Sequence, residues 1–293
     1  MDTIRAYLML TGTAVCWSGH AVINRLAVGE ISPMLLVSLR WLGVVILISV
    51  IANKYIRQDW LSLKKHLPYL FVMGALGYTT FNAFFYVSGH YTHALNIGIL
   101  QGSIPMFVLL GSFIFHRTKI KPLQIAGVLL TILGVCTVSF GGYGINKGAL
   151  TFAIGDILMI FACLLYAGYT VGLQNRPPSS SLGLFSVLAI AALVTSIPLA
   201  AGEYILGQTI WPTREGWFVV GFVVLFPSLL AQIFFINGVK TIGPGRAGIF
   251  VNLVPVFAAI FAVTILNEPF EMFHAAALVL VLGGIGLSER AKL

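Results

Sequence analysis

Apolar runs of about 17–25 residues follow one another along this chain, and each is long enough to cross a hydrocarbon core. Ten can be marked, over residues 5–28, 33–53, 68–88, 92–115, 121–140, 151–174, 182–205, 216–238, 245–266 and 272–288. In lipid a backbone must satisfy its own hydrogen bonds, and runs of this length do so as helices. The expected fold is an all-α integral membrane protein of ten transmembrane helices. Short polar breaks leave no room for an extramembrane domain.

The polar and small positions repeat. At an offset of 150, Phe84-Phe85 falls on Phe234-Phe235, Gly98-Ile99 on Gly248-Ile249, Pro105 on Pro255, Phe107 on Phe257 and Gly134 on Gly284. Asn82 falls on Gln232, an amide on an amide. The chain thus divides into two five-helix repeats, 1–143 and 144–293, within one structural unit. Five is odd, so the second copy enters the membrane from the opposite side. Inverted repeats of this kind are a transporter architecture, with the site near the midplane and access exchanged by rocking.

Charge sets the orientation. Arg5, Lys54, Arg57, Lys64, Lys65, Arg117, Lys119, Lys121, Arg176, Lys240, Arg246, Arg290 and Lys292 all fall on one side of a ten-span chain. Lys147 and Arg214 fall on the other, with Arg25 and Arg40 inside spans. Lys and Arg concentrate in cytoplasmic loops, so both termini are expected in the cytoplasm. Glu30, Glu203, Glu215, Glu268 and Glu271 sit on the opposite side. The net charge of +8 is absorbed by this bias, and no basic face or RNA-binding motif points to nucleic acid. The first run continues too long, and carries too many polar residues, to be a cleaved signal peptide.

Composition agrees: 58% of the 293 residues are hydrophobic and 9% charged, against about a quarter charged in a soluble domain. Cys16, Cys136 and Cys163 lie inside apolar runs without metal or redox spacing, and read as small buried side chains. No HExxH, GxSxG or Walker-type sequence occurs, so neither an enzyme nor an intrinsic ATP-driven pump is expected. No metal or other cofactor is expected either. His90 and His93 have a loose ligand spacing but no neighbouring acid in the sequence, and read as surface loop histidines.

Polar groups in hydrocarbon should face the bundle interior or a wet cavity. Thr13, Trp17, His20 and Asn24 share one stripe of the first helix, and Tyr78, Phe81, Asn82 and Phe85 one stripe of the third. Ser228, Gln232 and Phe235 are the counterpart in the eighth. Asp156, Met159, Cys163, Tyr166 and Thr170 line the sixth, and Gln101 and Asn252 precede the prolines of the fourth and ninth. Together they suggest a central cavity with aromatic walls and scattered amides. The substrate-binding candidates are Trp17, His20, Tyr78, Phe81, Asn82, Gln101, Tyr166, Gln232 and Asn252.

Other polar positions carry paired readings. Asp156 is a candidate coupling or ammonium site, against a bland role as a helix-start cap. Arg25 is placed to snorkel to the head groups. Arg40, about seven residues into its helix, is expected to pair with a carbonyl or a buried acid and to hold helices rather than touch substrate. Pro105 and Pro255 should kink their helices and are candidate hinges, against static bends.

Cys16-Trp17-Ser18-Gly19, then Ile31-Ser32-Pro33 and Arg40, resemble the opening of the EamA-type drug/metabolite transporters. Leu266-Asn267-Glu268-Pro269-Phe270, followed by a helix ending near Gly283-Gly284, is similar to that family's Gly-Glu-then-helix signature. It departs from the pattern at Asn267, where glycine is commoner, and the first repeat reads Arg117-Thr118-Lys119 without the acid. The resemblance spans the chain and is strongest to bacterial amino-acid exporters, the aromatic branch included. It implies export of small metabolites across the bacterial inner membrane by alternating access. Aromatic or large neutral amino acids suit the cavity, with proton coupling left open. Other amphiphilic metabolites such as amines or nucleobases, and a channel-like facilitator, stand as alternatives.

Overall fold

The computed structural model describes residues 3–141, 153–242 and 250–290, and every regular element among them is helical. Among the described residues nine helices are long and apolar enough to cross a membrane: Thr3–Leu26, Pro33–Ile51, Asn53–Ser88, Ala94–His116, Pro122–Phe140, Ile154–Asn175, Ser181–Ile205, Arg214–Val239 and Met272–Arg290. A shorter apolar helix, Val254–Leu266, lies between the last two. In chain order these are the ten expected spans, called here the first to tenth helices. One end of the bundle carries Arg5, Lys64, Lys65, Arg117 and Arg176 and is termed basic. The other carries Glu30, Glu203 and Glu268 and is termed acidic.

The third helix begins earlier than the apolar pattern indicates. Its first segment, Asn53–Leu63, is amphipathic and joins the apolar part through a tight turn at Lys64–His66. Lys54 and Arg57 made this stretch read as a loop. Instead Leu63 is buried while Tyr55, Trp60 and Leu61 stay exposed, the pattern of a helix lying in the interface plane. Asp59 fastens it to the seventh helix by accepting from the Ser180 N–H at 2.8 Å and hydroxyl at 2.5 Å.

The 150-residue repeat reappears in backbone irregularities. Ala75–Thr80 and Val224–Leu230 are both π-helical. In each, a hydroxyl takes a carbonyl five residues back: Thr80 to Ala75 at 2.9 Å, Ser228 to Val223 at 2.6 Å. Pro227, inside the second segment, has no N–H to give Val223, which is the opening that the Ser228 hydroxyl fills. The fourth helix breaks at Gly102–Ser103 and restarts at Ile104, and the ninth restarts at Val254 after Asn252–Leu253. Pro105 and Pro255 therefore sit in the first turn of each second half, where a missing N–H is harmless. The expected mid-helix proline kinks are helix breaks that precede the prolines. Both second halves end in a left-handed residue, Arg117 (φ 52°) and Asn267 (φ 54°). The matched pair Gly248-Ile249 lies outside the described residues.

Small residues bring helices together, as packing without a hydrophobic drive requires. The fifth and tenth helices run antiparallel with Gly127 and Gly134 facing Gly284 and Ala277; a side chain at either glycine would meet backbone carbonyl oxygen within 3.0 Å. Gly98 is pressed as closely against Ala258, joining the fourth and ninth helices near the acidic end.

Candidate functional site

Arg40 stands in the middle of the bundle with 6% of its surface exposed. Its Nε donates to Ser228 Oγ at 2.9 Å, and its Nη1 lies 2.7 Å from Asn82 Oδ1, 2.8 Å from Tyr86 Oη and 2.8 Å from His20 Nε2. These partners come from the first, third and eighth helices, so the guanidinium ties both repeats together. Asn82 offers an amide carbonyl oxygen, so the expected carbonyl partner of Arg40 comes from a side chain, and none of the four partners is an acid.

Nη1 carries two hydrogens and faces three acceptors. The set closes if Nη1 donates to Asn82 and Tyr86 while Tyr86 passes its own hydrogen to His20 Nε2, 2.9 Å away. His20 then accepts on Nε2, a role only the neutral ring can fill. Asn82 is held in turn by its Nδ2 donating to Tyr78 O at 2.6 Å, a carbonyl in the π segment.

Aromatic side chains wall this polar centre. Trp41 stacks on Tyr78 at 4.8 Å with the rings parallel within 1°, and the Tyr78 and Tyr169 hydroxyls meet at 3.0 Å. Tyr166 packs on Tyr169 and Phe81, and His20 stacks on Phe85 at 4.4 Å. Trp17 donates to Pro227 O at 3.1 Å and packs on Phe235. The Trp41 indole N–H is buried without a partner.

Of the predicted residues, Trp17, His20, Tyr78, Phe81, Asn82 and Tyr166 thus belong to one polar–aromatic assembly or touch it. Gln232 and Asn252 are half-buried and hydrogen-bond nothing among the described residues, and the Gln101 Nε2 is buried without a partner just before the break in the fourth helix. Asp156 lies elsewhere: fully buried, it accepts from Thr92 at 2.5 Å and from Asn96 at 3.4 Å near the acidic end. It pins the sixth helix to the start of the fourth rather than capping its own helix. Trp41, Tyr86 and Tyr169 were not singled out from the sequence. Tyr86 continues the 78, 82, 86 stripe and Tyr169 follows Tyr166 by three, so helical spacing could have found both; nothing marked Trp41.

Polar ties cross the acidic end. Glu268 accepts from the Ala94 and Leu95 N–H groups at 2.8 and 2.9 Å, where the fourth helix begins. His93 Nδ1 lies 3.7 Å from the same carboxylate, so the loop histidine has an acidic neighbour after all, 175 positions along the chain. The Glu268 carboxylate beside it pushes the His93 imidazole above its ordinary range, ahead of the opposing effect of its partial burial. Burial pushes the Glu268 carboxyl up, but His93 and the two backbone donors together outweigh it and hold the group below the ordinary carboxylate range. Arg25 donates to Gly89 O at 2.7 Å. Deeper in the bundle, Ser18 bonds Val254 O across the first and ninth helices at 2.9 Å. Between these ties lies a cleft of about 380 Å³, lined by Arg25, His90, His93, Asn96, Glu268 and His274.

Two stretches of the chain, residues 4–140 and 153–289, each match the EamA-like transporter family, one per repeat. The chain belongs to that family. Relatives of this EamA-like transporter include the uncharacterized transporter YetK of Bacillus subtilis, 29% identical over 96% of this chain and 85% of that protein. The uncharacterized inner membrane transporter YedA of Escherichia coli is 22% identical over 95% and 88%. A protein of known crystal structure shares the fold with a TM-score of 0.65 at 19% identity, over 98% of this chain and 99% of that one. The chain is accordingly a multi-pass membrane transporter for a small molecule.

Proposed function

We propose that this transporter exports amphiphilic metabolites, foremost aromatic or large neutral amino acids, from the cytoplasm across a bacterial inner membrane. The two repeats rock about the Arg40 assembly and expose it first at the basic, cytoplasmic end and then at the acidic end. The carrying observation is that assembly: a polar centre joined to both repeats, walled by Trp17, Trp41, Tyr78, Phe81, Tyr166 and Tyr169. Aromatic rings offer a large apolar surface and donors at their edges, which suits an amphiphilic cargo. The Lys and Arg bias supports the orientation, and the breaks at Gly102–Ser103 and Asn252–Leu253 are natural pivots for the rocking.

Proteoliposome uptake of radiolabelled tryptophan and phenylalanine, with and without a pH gradient, tests this together with Trp17→Ala. Saturable uptake that the variant loses is expected, and its response to the gradient decides coupling to protons. Uptake no greater than that of empty liposomes, from protein shown to be folded, would reject the aromatic amino-acid assignment.

A further inference from the structure

The geometry points to Arg40 as the anchor for a carboxylate on the cargo, which makes the transported class organic monoacids, amino acids included, rather than amines or uncharged bases. This deepens the proposed function and rests on its reading of the central assembly as the cargo site.

The charge balance of the cluster is the starting point. A guanidinium buried in a bundle is retained when an anion or several good acceptors compensate it. Here Ser228, Asn82, Tyr86 and His20 are all neutral in the arrangement the distances allow. Arg40 makes no ion pair among the described residues, so none of their carboxylates neutralises it.

The second point is an open donor. Nε and Nη1 are engaged, with Nη1 facing more acceptors than it has hydrogens, while Nη2 makes no hydrogen bond among the described residues. Nη2 is not sealed by protein, so room for a further atom lies against it. A guanidinium with one edge pinned and the other free is pre-oriented to receive a carboxylate. Trp17 and Phe81, both half-buried, stand beside the cluster to receive the remainder of the molecule. Among the described residues no second Lys or Arg bonds into the cluster, which matches a monoanion better than a phosphate dianion.

Melting of the purified protein in detergent, with graded additions of 3-phenylpropionate, hexanoate, 3-phenylpropanamide, 2-phenylethylamine and inorganic phosphate, tests the inference. Wild type is set beside Asn82→Asp and Arg40→Gln. Asn82→Asp is nearly isosteric and places an internal carboxylate 2.7 Å from Nη1 in exchange for the bond from Nδ2 to Tyr78 O, and a cooperative melt without added acid shows that each variant compared is folded. The acids are expected to raise the melting temperature of the wild type while the amide and amine leave it unchanged. In Asn82→Asp the acid concentration for half effect should rise roughly 10- to 100-fold, the scale of one charge-assisted bond. Hexanoate acting as well as 3-phenylpropionate keeps the anchor and rejects the aromatic cargo. The amide or phosphate acting as well as the acids, an Asn82→Asp response like wild type, or no response to either acid up to about 10 mM overturns the anchor.

Discussion

Gly98 faces Ala258 across the joint between the fourth and ninth helices, and an added Cβ would lie well under 3.0 Å from the Ala258 Cβ. That neighbour cannot rotate away, because its Cβ is fixed to the backbone. In Gly98→Ala one helix must move, and overpacking of this kind costs about 1–3 kcal/mol. A state in which the two helices have parted escapes that penalty. The substitution should therefore favour the state open at the acidic end by roughly 5- to 150-fold. Gly283→Ala serves as control, since a Cβ there meets nothing within 4 Å and only gains the helix preference of alanine, at most about 1 kcal/mol. With Cys16, Cys136 and Cys163 replaced, a single cysteine at Ala94 reports opening through its rate of reaction with a membrane-impermeant maleimide, because Ala94 is fully buried beneath Glu268. Labelling should accelerate in Gly98→Ala and not in Gly283→Ala. Equal labelling rates and equal melting in the two variants would refute both the tightness of this joint and its part in closure.

Glu268→Gln should lower the melting temperature near pH 7, with a loss of about 1–3 kcal/mol for the charged acceptor at the fourth helix. The carboxyl is held below its ordinary range, so its contribution is present in full above the ordinary value of 4.5 and fades as pH falls through the lowered one. His93 has the opposite sign: raised above 6.5, it contributes in full below that value and loses its part as pH rises through the raised one. Wild type and Glu268→Gln should consequently converge in acid, and a gap that stays constant from pH 3 to pH 8 would contradict the latch. Asp156→Asn keeps an acceptor for Thr92 and should retain the pH response of transport with a stability loss of about 1 kcal/mol; a lost response in liposomes would make Asp156 a coupling site. Pro255→Ala should change stability by less than about 1 kcal/mol, because the proline occupies a first turn. Its transport rate should fall if the break is a pivot, and an unchanged rate removes the hinge.

The spans and the repeat were legible because lipid imposes a length and a period on every helix, and duplication leaves Pro105 and Pro255 in register. The amphipathic start of the third helix was hidden because an interfacial helix has no long apolar run. Within the site, stripes on single helices identified Trp17, His20, Tyr78 and Asn82, since a helical face is a local property. The environment of Arg40 was not local: its partners lie 20, 42, 46 and 188 positions away, and only packing reveals that all are neutral. The tie from Glu268 to Ala94 spans 174 positions and was equally invisible. Asn267, a departure from the glycine of the resembling motif, is explained by its left-handed backbone, which asparagine tolerates better than most residues.

A duplicated frame would by itself make two conformations, related by a two-fold axis in the membrane plane, equal in energy. The carboxylate of Glu268 breaks that degeneracy, because the equivalent position of the first repeat is Thr118, whose hydroxyl turns back to Ser112 O at 2.7 Å within its own segment. The acid that makes the Glu268 tie is thus present in one repeat and has no counterpart at Thr118 in the other. In the proposed cycle the unloaded carrier should rest shut toward the exterior, waiting for cargo from the cytoplasm. Directionality would in that case be written into a single unduplicated side chain, and grafting an acid at Thr118 would level the resting populations and slow departure from the inward side.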